Sequence, residues 1–249
     1  MKQLVVFDLD GTLALSKSPL DDEMARLLKR LLGIVRVAII SGGDFPQFQK
    51  QVIDRLPAGS DFAKLSILPT SGTKFFIYDG AWRKLYAEDL SPQERAKIER
   101  ELDAAVAKAG VQPKETWGER IEDRGTQITY SALGQQAPLE AKSAWDPDFS
   151  KRKQVQAILE KTLPEFSVRL GGTTSIDVTR PGIDKGYGIR KLRETLHIEI
   201  PDMMFVGDAI FPGGNDYAAC EGGVDCIRVR DAEETKRVVE GILTWMQTP

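Results

Sequence analysis

Two hydrophobic patterns divide the chain. From residue 4 the sequence offers short, β-branched apolar runs separated by amphipathic stretches: LVVFDLD, DDEMARLLKRLLG, VRVAIISGG, FPQFQKQVIDRL and LSILPTSG in turn. Short apolar runs predict strands buried on both faces, and the stretches between them repeat at helical spacing. Acids open the first helix and Gly33 closes it. Strand and helix in alternation predict an α/β fold, a right-handed, doubly wound parallel sheet.

The pattern then changes. FFIYDGAWRKLYA reads as a hairpin turning at Asp79-Gly80. SPQERAKIERELDAAVAKAG predicts a long exposed helix, capped by Ser91, started by Pro92 and ended by Gly110. IEDRGTQITYSAL alternates like one half-buried antiparallel strand, DFSKRKQVQAILEKTL like a helix, and SVRLGG and SIDVT like short strands. After these the first pattern returns, with DKGYGIRKLRETL (helix), MMFVGD and CIRVR (strands) and AEETKRVVEGILTWM (helix). The expectation is a split core, residues 1–85 and 181–249, with an inserted α+β domain at 86–180 and no internal repeat.

The totals narrow the function. A chain of 249 residues, 41% hydrophobic and 29% charged, can bury a sizeable core. A net charge of −3 advertises no basic face, so nucleic acid is not an expected partner. No run reaches the ~20 apolar residues of a membrane span, and the N-terminus does not read as a signal peptide. The cytoplasm is the expected location. Cys220 and Cys226 fit neither a zinc knuckle nor a redox pair, and are read as reduced packing residues, with a disulfide as the less favoured reading. The single histidine, His197, stands near a helix end. Histidine triads and histidine metal sites are therefore hard to build, and acid–base work falls to carboxylates or lysine.

Ligands of open α/β sheets bind beyond the C-terminal strand ends. Those ends carry Asp8, Asp10, Gly11 and Thr12; Ser41, Gly42, Gly43 and Asp44; and Asp208, followed by PGGND with Asn215 and Asp216. A helix start adds Asp184 and Lys185. In a strand, Asp8 and Asp10 would share one face. At ~4 Å two like charges repel by about 4 kcal/mol at an effective dielectric of ~20, so the pair calls for a divalent cation. Carboxylates suit Mg²⁺, while a hydroxyl, glycine-flanked amides and an ammonium suit phosphate oxygens.

DLDGT, Ser41, Lys185 and GDAIFPGGND, in this order at strand ends, resemble the motifs of the haloacid dehalogenase superfamily. SGGDFPQF, GGTTSIDVTRPGIDKGY and FVGDAIFPGGNDY are similar, almost end to end, to its subfamily IIB, the eukaryotic-type phosphomannomutases and their bacterial relatives. The resemblance implies that Asp8 is the nucleophile, forming an aspartyl-phosphate, and that Asp10 is the acid–base. Mg²⁺ would be held by Asp8, the Asp10 main-chain carbonyl and Asp208. Ser41 and Lys185 would hold the phosphoryl group, with Thr12, Gly42 and Gly43 beside it, and Asn215 and Asp216 in support. The inserted domain would be a cap that closes over the core and grips the distal end of a phosphorylated sugar through Arg124, Ser175 and Asp177. Lys17, Gln135 and Lys142 stand where the mutases carry arginines. Lysine loses the bidentate fork and Gln135 loses the charge. A mutase must grip a bisphosphate in two orientations, so these changes favour a sugar-phosphate phosphatase. Phosphomannomutase is the alternative, and a non-catalytic sugar-phosphate binder the third reading. A monomer, or a homodimer paired through the cap's exposed strands, is expected.

Overall fold

Leu4–Phe7 (β1) is apolar and buried at every position, as a strand covered on both faces must be. In Asp22–Leu32 (α1) the Asp21 carboxylate accepts from Met24 N, and acids in the first turn and bases in the last complement the helix dipole. Arg36–Ile40 (β2), Phe45–Gln51 (α2), Leu65–Leu68 (β3), Lys74–Tyr78 (β4) and Trp82–Ala87 (β5) follow. The computed structural model describes residues 2–247; Met1 and residues 248–249, assigned to the core by the sequence reading, lie outside the described residues. α2 is shorter than its sequence pattern predicts, because the chain tightens into a 3-10 turn at Ile53–Arg55.

Pro92–Ala109 (α3) has the expected ends: Ser91 and Glu94 form a reciprocal capping box, and Gly110 is left-handed. Then come Ile121–Asp123 (β6), Ile128–Ser131 (β7), Leu139–Trp145 (α4), Ser150–Thr162 (α5), Ser167–Gly171 (β8) and Ser175–Thr179 (β9). The chain ends with Lys185–Leu196 (α6), Met203–Gly207 (β10), Tyr217–Glu221 (α7), Asp225–Arg228 (β11) and Ala232–Gln247 (α8).

The chain divides into two compact units, Met1–Ala87 with Ile183–Pro249, and Glu88–Gly182. The first contains a seven-stranded sheet in the order β11-β10-β1-β2-β3-β4-β5, parallel from β11 to β3. Val5, Phe7, Val37 and Ile39 face one apolar cluster; Leu4, Val6, Ala38 and Ile40 face another. Period-two alternation thus feeds a core on each side of the sheet, the doubly wound arrangement. β5 stays in this sheet to Ala87, which pairs with Lys74, so the observed division falls at 88 rather than 86.

The second unit is a four-stranded antiparallel sheet, β6-β7-β9-β8, with α3 and α5 packed together over one face. The 121–133 stretch is a hairpin and not one strand: Arg124 to Gln127 turn the chain, closed by Arg124 N donating to Gln127 O at 2.9 Å. Arg152 and Asp146 form a fully buried ion pair at 2.7 Å, and Arg152 also donates to the carbonyls of Gly171 and Gly172 at the β8–β9 turn.

Cys220 and Cys226 form a disulfide, joining α7 to β11 with Cα atoms 5.9 Å apart. The turn after α7 brings their backbones into bridging range. This corrects the reading of both as reduced, and removes that ground for a reducing compartment. Among the described residues, no helix is long and apolar enough to cross a membrane.

Candidate active site

Strand register assembles the site. Phe7 pairs with Ile39 on one side and Val206 on the other, so Asp8, Ser41 and Asp208 leave the C-terminal ends of three adjacent strands. Lys185 opens α6, and Asp216 lies just before α7, which packs on α6.

Lys185 Nζ donates to Asp8 Oδ1 at 2.5 Å and also to Asp216 Oδ1, with all three side chains almost wholly buried. Asp216 is fixed in turn by Ala209 N, which donates to Oδ2 at 2.9 Å. One ammonium therefore serves two buried carboxylates. Burial pushes Asp8 up to about 7; the carboxylates of Asp216 and Asp208 push the same way, against Lys185. Burial alone would lower Lys185, but Asp8 and Asp216 outweigh it and hold the ammonium protonated well above the usual lysine range.

Thr12 is buried, and its hydroxyl serves Asp208 on both sides: it donates to Oδ1 at 3.1 Å and accepts from Asp208 N at 3.0 Å. Gly11 makes this approach possible. Its φ is +93°, and a Cβ there would stand 2.7 Å from Asp208 Oδ2. Thr12, expected beside the phosphoryl group, thus positions Asp208.

The two aspartates of DLD are held by different partners. β1 ends at Phe7, and the Asp10 carboxylate is taken by Lys17 N at 2.6 Å, Gln47 Nε2 at 2.9 Å and Gln51 Nε2 at 3.3 Å. The crowding of negative charge that the sequence suggested is real, but it lies between strand ends. Ligand oxygens of Asp8, Asp208 and Asp216 fall within 4.8 Å of one another, and Asp10 is not in that cluster. Its expected contribution is the main-chain carbonyl, which the carboxylate's position leaves untouched. Gln47 and Gln51 were missed by the sequence reading, although their i, i+4 spacing along α2 was a usable signal.

The Ser41 hydroxyl is buried and accepts from Gly43 N at 3.3 Å. The loop is braced where Gly43 O accepts from Thr70 N. Gly42 lies between them. Of the PGGND pair, Asn215 is exposed and Asp216 accepts from Lys185. Lys17 is left-handed, at φ 58°, as it turns its amide to Asp10.

The remaining expected residues lie in the second unit. Arg124 is buried at the β6–β7 turn and donates to Glu122 Oε2 at 2.7 Å. Asp177 accepts from Thr129 Oγ1 at 2.7 Å, and Ser175 lies on the same face of β9. Gln135 O accepts from Lys142 Nζ at 3.2 Å, so Lys142 is engaged with the very residue whose charge is missing.

The family described as eukaryotic phosphomannomutase matches residues 106–245, more than half of the chain. A phosphomannomutase of Encephalitozoon cuniculi is 25% identical, the match covering 97% of this chain and 94% of that one. A phosphomannomutase of Spinacia oleracea is 26% identical, covering 86% and 84%. Among solved structures, a haloacid dehalogenase-like hydrolase from Bacteroides thetaiotaomicron superimposes with a TM-score of 0.64 at 14% identity, over 97% of this chain and all of that one. A trehalose-6-phosphate phosphatase related protein gives 0.58 at 16%, over 97% of both. At these identities the structures show a shared fold.

Proposed function

The chain belongs to the eukaryotic phosphomannomutase family, and from that premise we propose that it is a Mg²⁺-dependent sugar-phosphate phosphatase acting through an aspartyl-phosphate on Asp8. It is a phosphoryl-transfer enzyme of the haloacid dehalogenase superfamily. The observation that carries the reading is the buried Lys185 held between Asp8 and Asp216, with Asp208 beside them. Such a charge cluster is a poor way to stabilise a fold and a good way to meet a phosphoryl group.

The residues fit Mg²⁺. The donors are all carboxylate oxygens, close enough to share one hard cation, and more negative charge gathers there than Lys185 alone can offset. Asp8 and Asp208 would hold the ion, with the Asp10 carbonyl. When bound, it would keep Asp8 ionised and spread charge from the phosphoryl oxygens.

In the proposed reaction an Asp8 oxygen bonds to phosphorus while the bond to the sugar oxygen breaks. Asp10 gives its proton to that leaving oxygen. Asp10 then takes a proton from water, whose oxygen attacks phosphorus and releases phosphate, restoring Asp8. Gln47 and Gln51 hold Asp10 in place for both transfers. Lys185 and Ser41 hold the phosphoryl oxygens, and Asp216 fixes Lys185. Arg124, Ser175 and Asp177 of the inserted unit would supply contacts to the sugar.

Water as the final acceptor is supported by Gln135 and by the engagement of Lys142 with its carbonyl. A sugar hydroxyl as acceptor, which would make a mutase, is favoured by the names of the relatives. The test is phosphate release from a panel of hexose phosphates with Mg²⁺. Turnover should be lost in Asp8→Asn. Absence of release across the panel would refute the phosphatase.

A further inference from the structure

The strands that carry the active site at their C-terminal ends share an N-terminal edge, where a cleft of about 440 Å³ opens in the first unit. Residues just before β1 and β3, the start of β2 and the end of α6 border it. Lys2, Arg36, Lys64 and His197 line it, and among the described residues no acid does. This reverses the balance of the chain, in which Asp and Glu outnumber Lys and Arg by 37 to 34. Ile34, Val35, Leu196 and Ile198 give the cleft apolar walls, and Ile34 is 36% exposed.

Strand register gathers the cations. Leu4 pairs with Arg36 and Val37 with Leu65, so Arg36 and Lys64 stand at neighbouring strand starts, with Lys2 at the third. His197 caps the C-terminus of α6 in the left-handed conformation, at φ 54°. Helix C-termini attract cations, and the two lysines answer that need or an acid's. Lys64 donates to the carbonyl of Gly33, the C-cap of α1, at 3.3 Å and faces Asp61 at 3.8 Å. Lys2 donates to Pro201 O at 2.6 Å and to the Asp225 carboxylate. Arg36 is different. It is exposed, and among the described residues no carboxylate or carbonyl engages its guanidinium.

A cationic rim over apolar walls suits an organic anion. A guanidinium can pair with a phosphate and stack on a flat apolar body. The volume lies within the roughly 300–1,000 Å³ usual for small-molecule sites. We propose that this cleft is a second ligand site, at the opposite edge of the sheet from Asp8, for a small phosphomonoester with a flat apolar body. Arg36 anchors the phosphate, Lys2 and Lys64 add the charge that favours a dianion, and Ile34 and Ile198 meet the body. The site stands apart from the phosphatase reading, since none of these residues belongs to the active site.

His197 is the single histidine of the chain, so its ring gives one C–H signal in NMR spectra, and that signal reports on the cleft. Phenylphosphonate, which is not hydrolysed, is titrated into the full chain in EDTA at fixed pH, beside inorganic phosphate and benzoate. Phenylphosphonate should shift the signal saturably, with a Kd of about 1 mM or tighter. Inorganic phosphate lacks the apolar body and benzoate the second charge, so each should bind about tenfold more weakly. Arg36→Met should weaken phenylphosphonate by about tenfold or more, and Arg36→Lys by less, with the melting temperature unchanged. If no saturable shift is seen, if Arg36→Met binds as tightly as the natural chain, or if inorganic phosphate or benzoate matches phenylphosphonate, the inference fails and the cations serve only the helix ends.

Discussion

Replacing Lys185 with methionine keeps the volume of the side chain and removes its charge. Lys185 is the ammonium between Asp8 and Asp216, whose side chains are 5% and 0% exposed. Removing one partner of a buried ion pair costs about 3–5 kcal/mol, because the remaining charge is left in a dry environment. For a protein of this size each kcal/mol moves the melting temperature by about 2–4 °C, so Lys185→Met should melt on the order of 10 °C lower in EDTA at pH 8. The sign of the pH dependence follows from Asp8. Its folded pKa, about 7, already lies above the ordinary 3.8, so stability is lost as pH rises through that window. Without Lys185 the carboxyl rises further and takes up a proton as the pH falls. The deficit of the variant should therefore be largest near pH 8 and shrink toward pH 5. The double variant Lys185→Met/Asp216→Asn should recover part of the loss. Calorimetric melts of all three across this range are the assay. A deficit under about 1 kcal/mol, or one that does not change with pH, would refute the charge accounting.

Other expectations are as specific. Mg²⁺ should raise the melting temperature in a saturable way, by about 2.7 kcal/mol of stability at a hundredfold excess over Kd, and Asp208→Asn should abolish the shift; an equal shift in the variant would place the ion elsewhere. Gln51→Leu should lower kcat by roughly tenfold or more with KM little changed, because Asp10 loses a hydrogen bond that orients it; a change confined to KM would contradict this. Glu94 is held down to about 2 by Arg180 and by the Ser91 amide, below its ordinary 4.5. The stability it contributes is present above pH 4.5 and lost as the pH falls toward 2; with its carboxylate and Arg180 partly exposed, about 1 kcal/mol or less is expected. Glu94→Gln should flatten that part of the acid-unfolding curve, and an unchanged curve would count against the capping box.

The readability of each element from sequence followed from how local its cause was. β1, α1 and α3 were legible because an apolar run, acids in a first turn and a capping box act over a few residues. The 121–133 hairpin was read as one strand because its turn, Arg124 to Gln127, is stabilised by a hydrogen bond across it and by the sheet beyond, which alternation does not reveal. α4 was missed: it follows Pro138 in a segment of only seven residues, none of them buried. In the site, strand ends predicted Asp8, Asp10 and Asp208, whereas the partners that hold them depended on contacts distant in sequence. Thr12 meets Asp208 across 196 positions, Lys185 meets Asp8 across 177, and Gln47 meets Asp10 across 37. The disulfide was misread for a related reason, since whether Cys220 and Cys226 face each other is set by the turn between α7 and β11.

In the proposed reaction water takes the phosphoryl group from Asp8. A phosphorus NMR time course with mannose 1-phosphate, Mg²⁺ and a catalytic amount of glucose 1,6-bisphosphate tests it most directly. Free phosphate should accumulate, and should not do so with Asp8→Asn. Growth of mannose 6-phosphate without free phosphate would contradict it and make the protein a mutase.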